Sequence, residues 1–209
     1  MAATAKRRTQ AERREAGQRA LIESSIACLS EKGFAATTFH DIVKRANCTT
    51  GQIQHHFGSK YGLYIAVLNQ LLEEFEAAFD AFPDNSRDLA SRVGEAIRIL
   101  VGLYTSDRYA AVYTLVLGGQ HDPELKTLIA QQRRGALATT RRAWLETFSD
   151  TGCPDEKLFA LLEIVVGVLR DFHFNKTVDI ADAKAGLERN ICLTGKMILA
   201  ELSQPDRRN

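Results

Sequence analysis

The chain has 209 residues, of which 45% are hydrophobic and 25% are charged, and this composition is typical of a globular protein with a sizeable core. Ten of its 27 basic and five of its 26 acidic residues lie within residues 1–60, so this segment carries a charge of +5 and the rest of the chain −4. The N-terminal segment lacks the apolar core of a signal peptide, and no uncharged apolar run reaches the roughly 18 residues that span a bilayer. We therefore expect a cytoplasmic protein.

The first third of the chain predicts three helical segments. Hydrophobic periodicity indicates a helix over residues 9–32, which Gly33 ends. A compact unit follows at residues 38–57. A long helix is predicted at residues 59–82, capped by the serine at its start, and the turn-forming residues 83–86 then break the chain.

The remainder of the chain shows helical periodicity and no strand-like alternation. Asp122 and Pro123 form a strong helix start, with a capping side chain followed by proline at the first helical position. The sequence therefore predicts an all-α protein, with further helices over residues 88–104, 107–117, 122–148, 155–175 and 181–202.

The compact unit at residues 38–57 has the pattern of two short helices around a tight turn. Thr38 and Asp41 form a capping pair for the first helix, and Thr49 can cap the second. Asn47 lies at the turn, where asparagine tolerates left-handed backbone better than most residues. The second helix buries Ile53 and presents a polar face, which is typical of a helix-turn-helix that reads DNA; this face carries Thr50, Gln52, Gln54 and His55.

Other interpretations of the polar residues are weaker. Adjacent histidines on a helix point about 100° apart, so His55 and His56 do not suggest a metal site, and no metal or cofactor is expected. His40 is interpreted as an exposed helical residue. The basic N-terminal run is either an arm that enters a minor groove or a solvated segment, and the sequence leaves this choice open; it comprises Lys6, Arg7, Arg8, Arg13 and Arg14.

The second part of the chain contains a helix that is apolar nearly all round, at residues 158–169. Its own domain can cover one side, and a second copy of the chain is the simplest cover for the other. Gly167 would permit close helix approach, and the last helix adds a further apolar stripe. The predicted dimerisation residues are Leu162, Val166, Gly167, Leu169, Ile191 and Ile198.

Aromatic residues between the helices of the second part of the chain are candidates for a ligand pocket. Aromatic residues at helical spacing are, however, also typical of a plain hydrophobic core. They are Tyr104, Tyr109, Tyr113, Trp144, Phe148, Phe172 and His173. Glu163 and Arg170 either recognise a charged ligand or face water or the dimer seam. The sequence does not reveal the class of ligand.

The helix-turn-helix region resembles the tetracycline-repressor (TetR) family of transcriptional regulators over about residues 14–75. The resemblance rests on Thr37-Thr38, Asp41-Ile42, Lys44-Arg45-Ala46, Gly51, His56-Phe57, Lys60 and Leu63. It implies contacts to phosphates and base edges by Thr38, Thr49, Thr50, Gly51, Gln52, His55, His56 and Lys60. Two departures stand out: Gln54 replaces the usual tyrosine, and Asn47-Cys48 replaces the common Gly-Val turn. Gln54 gains a bidentate group suited to adenine.

The resemblance implies a DNA-binding domain over residues 1–62, called here the head. It also implies a helical ligand-binding and dimerisation domain over residues 63–209, called here the body. The predicted function is a homodimeric repressor that binds a near-palindromic operator on double-stranded DNA and is released by a small-molecule effector. An enzyme is the second hypothesis, but no nucleophile–base pair, paired acids or phosphate loop supports it. A helical adaptor that binds protein through its charged head is the third.

Overall fold

The computed structural model describes residues 9–204, and every regular element in that range is helical. The all-α prediction is therefore confirmed. Two single 3₁₀ turns, at Gly119–His121 and Ser149–Thr151, flank α7. The helices are α1 (Gln10–Ala36), α2 (Phe39–Ala46), α3 (Thr50–Phe57), α4 (Lys60–Phe79), α5 (Leu89–Tyr104), α6 (Asp107–Gly118), α7 (Pro123–Thr147), α8 (Asp155–Thr177) and α9 (Ala183–Leu202).

The first hydrophobic core joins α1, α2 and α3 to the first half of α4. Leu21, Ile42 and Leu63 have no exposed surface, and Ile53 of α3 is 2% exposed. Each helix turns an apolar face towards the others, and burial of these faces holds the two short helices α2 and α3 against α1 and α4. The α2–α3 pair consequently rests on a packed base.

Helix α6 and the start of α7 extend this first core. Ala111, Leu115 and Leu125 are fully buried in the same cluster as the residues of α1 and α4. Buried contacts therefore cross the position at residue 62 where the sequence suggests a domain boundary, and that boundary stays a prediction. Movements of α6 would be transmitted to α1 because packed side chains leave little free volume between them.

The second core lies among α5, α7, α8 and α9. Leu100, Trp144, Val165 and Ile198 are fully buried there, one from each helix. Trp144 also donates its indole N–H to the backbone oxygen of Leu158 at 2.9 Å, which satisfies its polar atom inside the core. The second core gives the body a fixed framework.

Outside α1, three predicted helix limits differ from the structure by two residues or more. Helix α4 ends at Phe79 rather than residue 82, because the N–H groups of residues 80–82 bond three residues back and Pro83 disfavours a helical residue before it. Helix α8 continues two residues beyond 175, to Thr177, and α9 begins at Ala183 rather than 181. None of the helices within residues 9–204 is both long and apolar enough to cross a membrane.

The sequence predicts that Gly33 ends α1, whereas in the structure this residue interrupts the helix. Its φ of 80° and ψ of 170° lie outside the helical region, and one further helical turn follows to Ala36. The buried Thr37 hydroxyl secures this end by donating to the backbone oxygens of Cys28 and Gly33, at 3.1 and 2.7 Å. This change of direction carries Phe34 towards α6.

Candidate DNA-binding surface

Helix α2 begins with a reciprocal cap and is joined to α1 by two ion pairs. The Asp41 N–H donates to the Thr38 hydroxyl oxygen, and the Thr38 N–H donates to the Asp41 carboxylate, both at 3.2 Å. Asp41 also pairs with Lys32 at 2.8 Å, and Arg45 with Glu31 at 2.6 Å. Hydrogen bonds from Lys32 and Thr38 hold the pKa of Asp41 well below its usual range. These contacts set the orientation of α2 on α1.

The turn between α2 and α3 has the geometry that the sequence predicts. Asn47 adopts the left-handed conformation, with φ of 52° and ψ of 43°. The N–H of Cys48 donates to the backbone oxygen of Val43 at 2.9 Å, which closes the end of α2. The chain therefore reverses into α3 within three residues, as a helix-turn-helix requires.

Helix α3 is capped by Thr49 and Gln52. The Gln52 side-chain oxygen accepts from the Thr49 N–H at 2.7 Å, and the Gln52 side chain is half-buried. Its amide nitrogen lies 4.0 Å from where a Cβ on Gly17 of α1 would be. The side-chain oxygen of Gln52 thus serves the cap and its nitrogen faces α1, while a base contact by this residue stays a prediction.

His56 is also turned towards α1. Its ring Nε2 lies 3.5 Å from the Cβ position of Gly17, and its buried Nδ1 has no hydrogen-bond partner within the described residues. Burial lowers the pKa of His56, and the nearby His55 and Arg14 lower it further. The geometry favours a packing role for His56, whereas His55 is exposed.

The remaining predicted DNA contacts are exposed. They lie at the starts of α2 and α4 and along α3, and none of them carries a negative charge, so a phosphate backbone can approach them without repulsion. This exposed group, called here the reading face, comprises Thr38, Thr49, Thr50, Gly51, Gln54, His55 and Lys60.

Lys60 connects the reading face to the body. Its ammonium group lies 5.7 Å from the ring centroid of Phe34 and 5.6 Å from that of Tyr64. Phe34 in turn packs directly on Gly118, at the end of α6, where any Cβ would collide with the Phe34 ring. The glycine is therefore required for the close approach of α6 to α1. No local sequence signal identifies this contact.

A second connection between head and body is an ion-pair cluster centred on Arg108 of α6. Its guanidinium pairs with Glu23 of α1 at 2.9 Å and with Glu74 of α4. The hydrogen bond to Arg108 is the largest cause of the lowered pKa of Glu23, and the hydrogen bond to Glu23 is the largest cause of the raised pKa of Arg108. The cluster ties three helices together at the level of the first core, and sequence reasoning missed it.

The structure divides the predicted pocket aromatics into two groups. The first group packs together: the Tyr104 and Tyr109 ring centroids are 4.4 Å apart, Tyr109 and His173 are 4.8 Å apart, and Tyr113 and Phe172 lie against His173. The His173 ring contacts the backbone oxygen of Tyr104, and burial lowers the pKa of His173. Five of the seven predicted residues thus form one cluster.

The second group, Trp144 and Phe148, belongs to the hydrophobic core instead of a pocket. Both side chains are fully buried, and their ring centroids lie 4.8 Å apart in the second core. This corrects the pocket assignment for these two residues. Their spacing on α7 could not distinguish a core position from a cavity wall.

The predicted dimerisation residues require a similar correction. Leu162, Val166, Leu169 and Ile198 are between 0 and 8% exposed within the protomer, so they face its own core and cannot meet a second chain. Ile191 is half-buried. Gly167 is exposed and remains available for a contact between subunits. Exposed apolar residues lie on the opposite faces of α8 and α9, among them Ile164, Leu193 and Met197.

Two further sequence expectations concern the basic run and metal binding. Lys6, Arg7 and Arg8 lie outside the described residues, whereas Arg13 and Arg14 are helical residues of α1. Within residues 9–204 no three histidine, cysteine or acidic side chains are grouped to hold a metal ion. The His55 and His56 rings lie 5.2 Å apart, edge to face.

The family model described as "Bacterial regulatory proteins, tetR family" matches residues 21–67. This range begins in α1 and covers α2, α3 and the first part of α4. The HTH-type transcriptional regulator CymR of Pseudomonas putida is 24% identical over 79% of this chain and 81% of its own length. The HTH-type transcriptional regulator BetI of Burkholderia thailandensis is 35% identical, over 31% of this chain and 33% of its own.

Solved structures resemble the chain over nearly its whole length. A transcriptional regulator from Rhodococcus sp. Rha1 superposes with a TM-score of 0.71, at 20% identity, over 90% of this chain and 98% of its own. A TetR-family regulator from Streptomyces coelicolor gives a TM-score of 0.69 at 16% identity, over 91% and 97%. These similarities show that the helical body, like the head, has a fold found among such regulators.

Proposed function

Because its helix-turn-helix segment makes this chain a member of the TetR family, we propose that it is a homodimeric, ligand-responsive repressor of transcription. Family membership makes the chain a DNA-binding regulator and not an enzyme. The proposal adds a near-palindromic operator, a dimer and release by an effector. Its place of action would be the bacterial cytoplasm, where the DNA is.

The observation that carries the proposal is the exposed reading face on a firmly packed α3. Ile53 is 2% exposed and the helix is capped at Thr49, so α3 is held as a rigid unit. A helix with its side chains is about 10–12 Å in diameter, which matches the width of about 12 Å of the DNA major groove. Gln54 and His55 are the exposed α3 side chains best able to bond base edges.

The proposed dimer uses the exposed faces of α8 and α9. Ile164 is 44% exposed, Leu193 64% and Met197 38%, and each lies on the side of its helix opposite the second core. Nothing lies within 4 Å of the Cβ position of Gly167, so a partner helix could approach closely there. Two-fold symmetry would place two reading faces about 34–36 Å apart, in successive major grooves.

Ligand response would depend on the contacts that join α6 to the head. An effector that prefers one arrangement of the body helices shifts the population towards it, by no more than its differential affinity for the two states. The Phe34–Gly118 contact and the Arg108 cluster would carry that shift to α1 and α4. Release of DNA is the proposed consequence.

Fluorescence anisotropy with a labelled random-sequence duplex of about 30 base pairs tests the DNA-binding surface. We expect binding that weakens steeply as salt rises, because several phosphate contacts release counterions. Light scattering on the same sample should give the mass of two chains. A protein adaptor would show no preference for duplex over competing protein ligands, and salt-independent binding would contradict the proposed surface.

A further inference from the structure

A cavity of about 420 Å³ opens between α6, α7 and α8. Its walls are apolar where Val116, Ile129 and Ala130 line it. Cavities of this size with apolar walls and a few polar groups are typical of small-molecule sites. The cavity also has an unusual rim, because every charged side chain that lines it is positive; these are Lys126, Arg133, Arg134 and Arg170.

No carboxylate among the described residues neutralises these four cations. Among residues 9–204, no carboxylate oxygen lies within 4.0 Å of any of their charged groups, although carboxylates neutralise Arg92, Arg98 and Arg108 elsewhere. A cleft lined by charges of one sign, with low-dielectric walls, concentrates its field on whatever enters. An entering anion would relieve the mutual repulsion of these side chains.

Arg170 connects the cavity with the buried aromatic cluster. Burial raises the pKa of Tyr104 to about 12, while the nearby charge of Arg170 opposes this rise. Arg170 acts on Tyr109 in the same way, and Arg133 lies close enough to affect both phenols. Arg170 thus lies close to the aromatic cluster while it lines the cavity.

We propose that this cavity binds an organic anion, a carboxylate or a phosphate monoester attached to an apolar body. Arg170 and Arg133 bind the head group, because guanidinium groups hold carboxylate and phosphate through paired hydrogen bonds. The apolar body lies against Val116 and Ile129. The assignment of this anion as the effector rests on the proposed function, whereas its binding to the cavity does not.

The position of the cavity accounts for a coupling to DNA. Ile129 lines the cavity and is only 5% exposed within the first core, which also contains α1 and the start of α4. Val116 packs against the same core from α6. A ligand whose apolar part fills the cavity therefore presses on residues that support the reading face. Anion binding should consequently lower the affinity of the protein for its operator.

Isothermal titration calorimetry with matched probes tests the site on the full-length protein. The anions are octanoate, octyl phosphate and 2-naphthoate, and the neutral counterparts are 1-octanol and 2-naphthylmethanol. We expect at least one anion to bind, and its neutral counterpart to bind at least about tenfold more weakly. Added salt should weaken the binding of the anion. Octanoate against octyl phosphate distinguishes the two head groups.

Three variants assign the binding to the cavity. Arg170→Gln and Arg133→Gln should each lower the affinity for the anion at least about tenfold. Arg142→Gln, on the exposed side of α7, should leave that affinity unchanged. Circular dichroism shows whether each variant is folded. If Arg170→Gln does not fold, Arg133→Gln alone provides the test. The inference is overturned if no anion binds, if neutral probes bind equally, or if all three variants lose affinity alike.

Failure of this inference is distinguishable from failure of the proposed function. Absence of anion binding by a protein that still binds duplex would overturn the cavity assignment alone. Anion binding that leaves duplex affinity unchanged would overturn the proposed coupling to DNA. Anion binding by a protein with no affinity for duplex would overturn the proposed function and leave the site standing.

Discussion

Replacement of Gln52 and Gln54 by alanine should have opposite kinds of effect, although both are glutamines of α3. Gln52 accepts the Thr49 N–H at 2.7 Å and is half-buried against α1. Gln54 is exposed on the reading face. We therefore predict that Gln52→Ala weakens the helix itself, whereas Gln54→Ala leaves the helix intact and removes a contact to one base.

The magnitude follows from the cap. Loss of a capping interaction costs about 0.5–2 kcal/mol, and 1 kcal/mol shifts the Tm of a domain of this size by about 2–4 °C. Gln52→Ala should thus lower the Tm by about 1–8 °C and weaken binding to all DNA sequences alike. Gln52→Glu restores the capping acceptor and should recover the Tm. Gln54→Ala should leave stability within about 0.5 kcal/mol of the parent.

Calorimetric melting and binding to a set of single-base operator variants measure the two effects. Gln54→Ala should reduce discrimination at one base position per half-site by about 1–3 kcal/mol, with the other positions unchanged. The reasoning would be refuted if Gln52→Ala kept its Tm and lost preference at a single base. Equal loss by both variants across all sequences would also refute it.

Three further predictions concern phosphate binding, stability and assembly. Lys60→Ala should weaken binding to all duplexes equally. In anisotropy titrations it should also reduce the magnitude of the slope of log affinity against log salt concentration by about one. Asp150→Asn should lower the free energy of unfolding in urea by about 1–3 kcal/mol, since the 4% exposed Arg92 loses its charged partner at 2.6 Å. Arg92 lowers the pKa of Asp150, so this stabilisation should be present above pH of about 4 and disappear in the parent as pH falls through the lowered pKa. Leu193→Arg should give monomers by light scattering, whereas Leu117→Arg, also at an exposed leucine, should not; dimers in both would contradict the proposed interface.

The helix-turn-helix could be predicted from the sequence because local interactions decide it. The caps at Thr38 and Thr49 each bond a residue three positions away, and the left-handed turn at Asn47 depends on that residue's own backbone preference. Such signals are complete within a few residues. The alternation of buried and exposed positions then fixed which side of each short helix faces the core.

The contacts between head and body could not be predicted in this way. Phe34 and Gly118 are far apart in the chain, and nothing in their local sequence indicates that α1 and α6 cross there. Arg108 could equally have faced water, like most surface arginines, before folding brought Glu23 and Glu74 to it. These residues carry the proposed regulation, so that part of the account depends on the structure.

The dimer face shows why an apolar pattern alone can mislead. Residues 158–169 are apolar nearly all round, so hydropathy cannot tell which side the protomer covers itself. The structure assigns Leu162, Val166 and Leu169 to the protomer core and leaves Ile164 exposed. The prediction that a second chain covers this helix is compatible with the fold, but the residues chosen for the contact came mostly from the wrong side.

Selection of bound sequences from a random duplex library, with purified protein at near-physiological salt, tests the central claim most directly. The account predicts enrichment of a near-palindrome whose half-sites lie about one helical turn apart, about 10–10.5 base pairs between centres or a multiple of that spacing. Mutation of Gln54 to alanine should then alter the selected base at one position in each half. Failure to enrich any sequence with a folded, dimeric protein would contradict the proposal that this chain reads an operator.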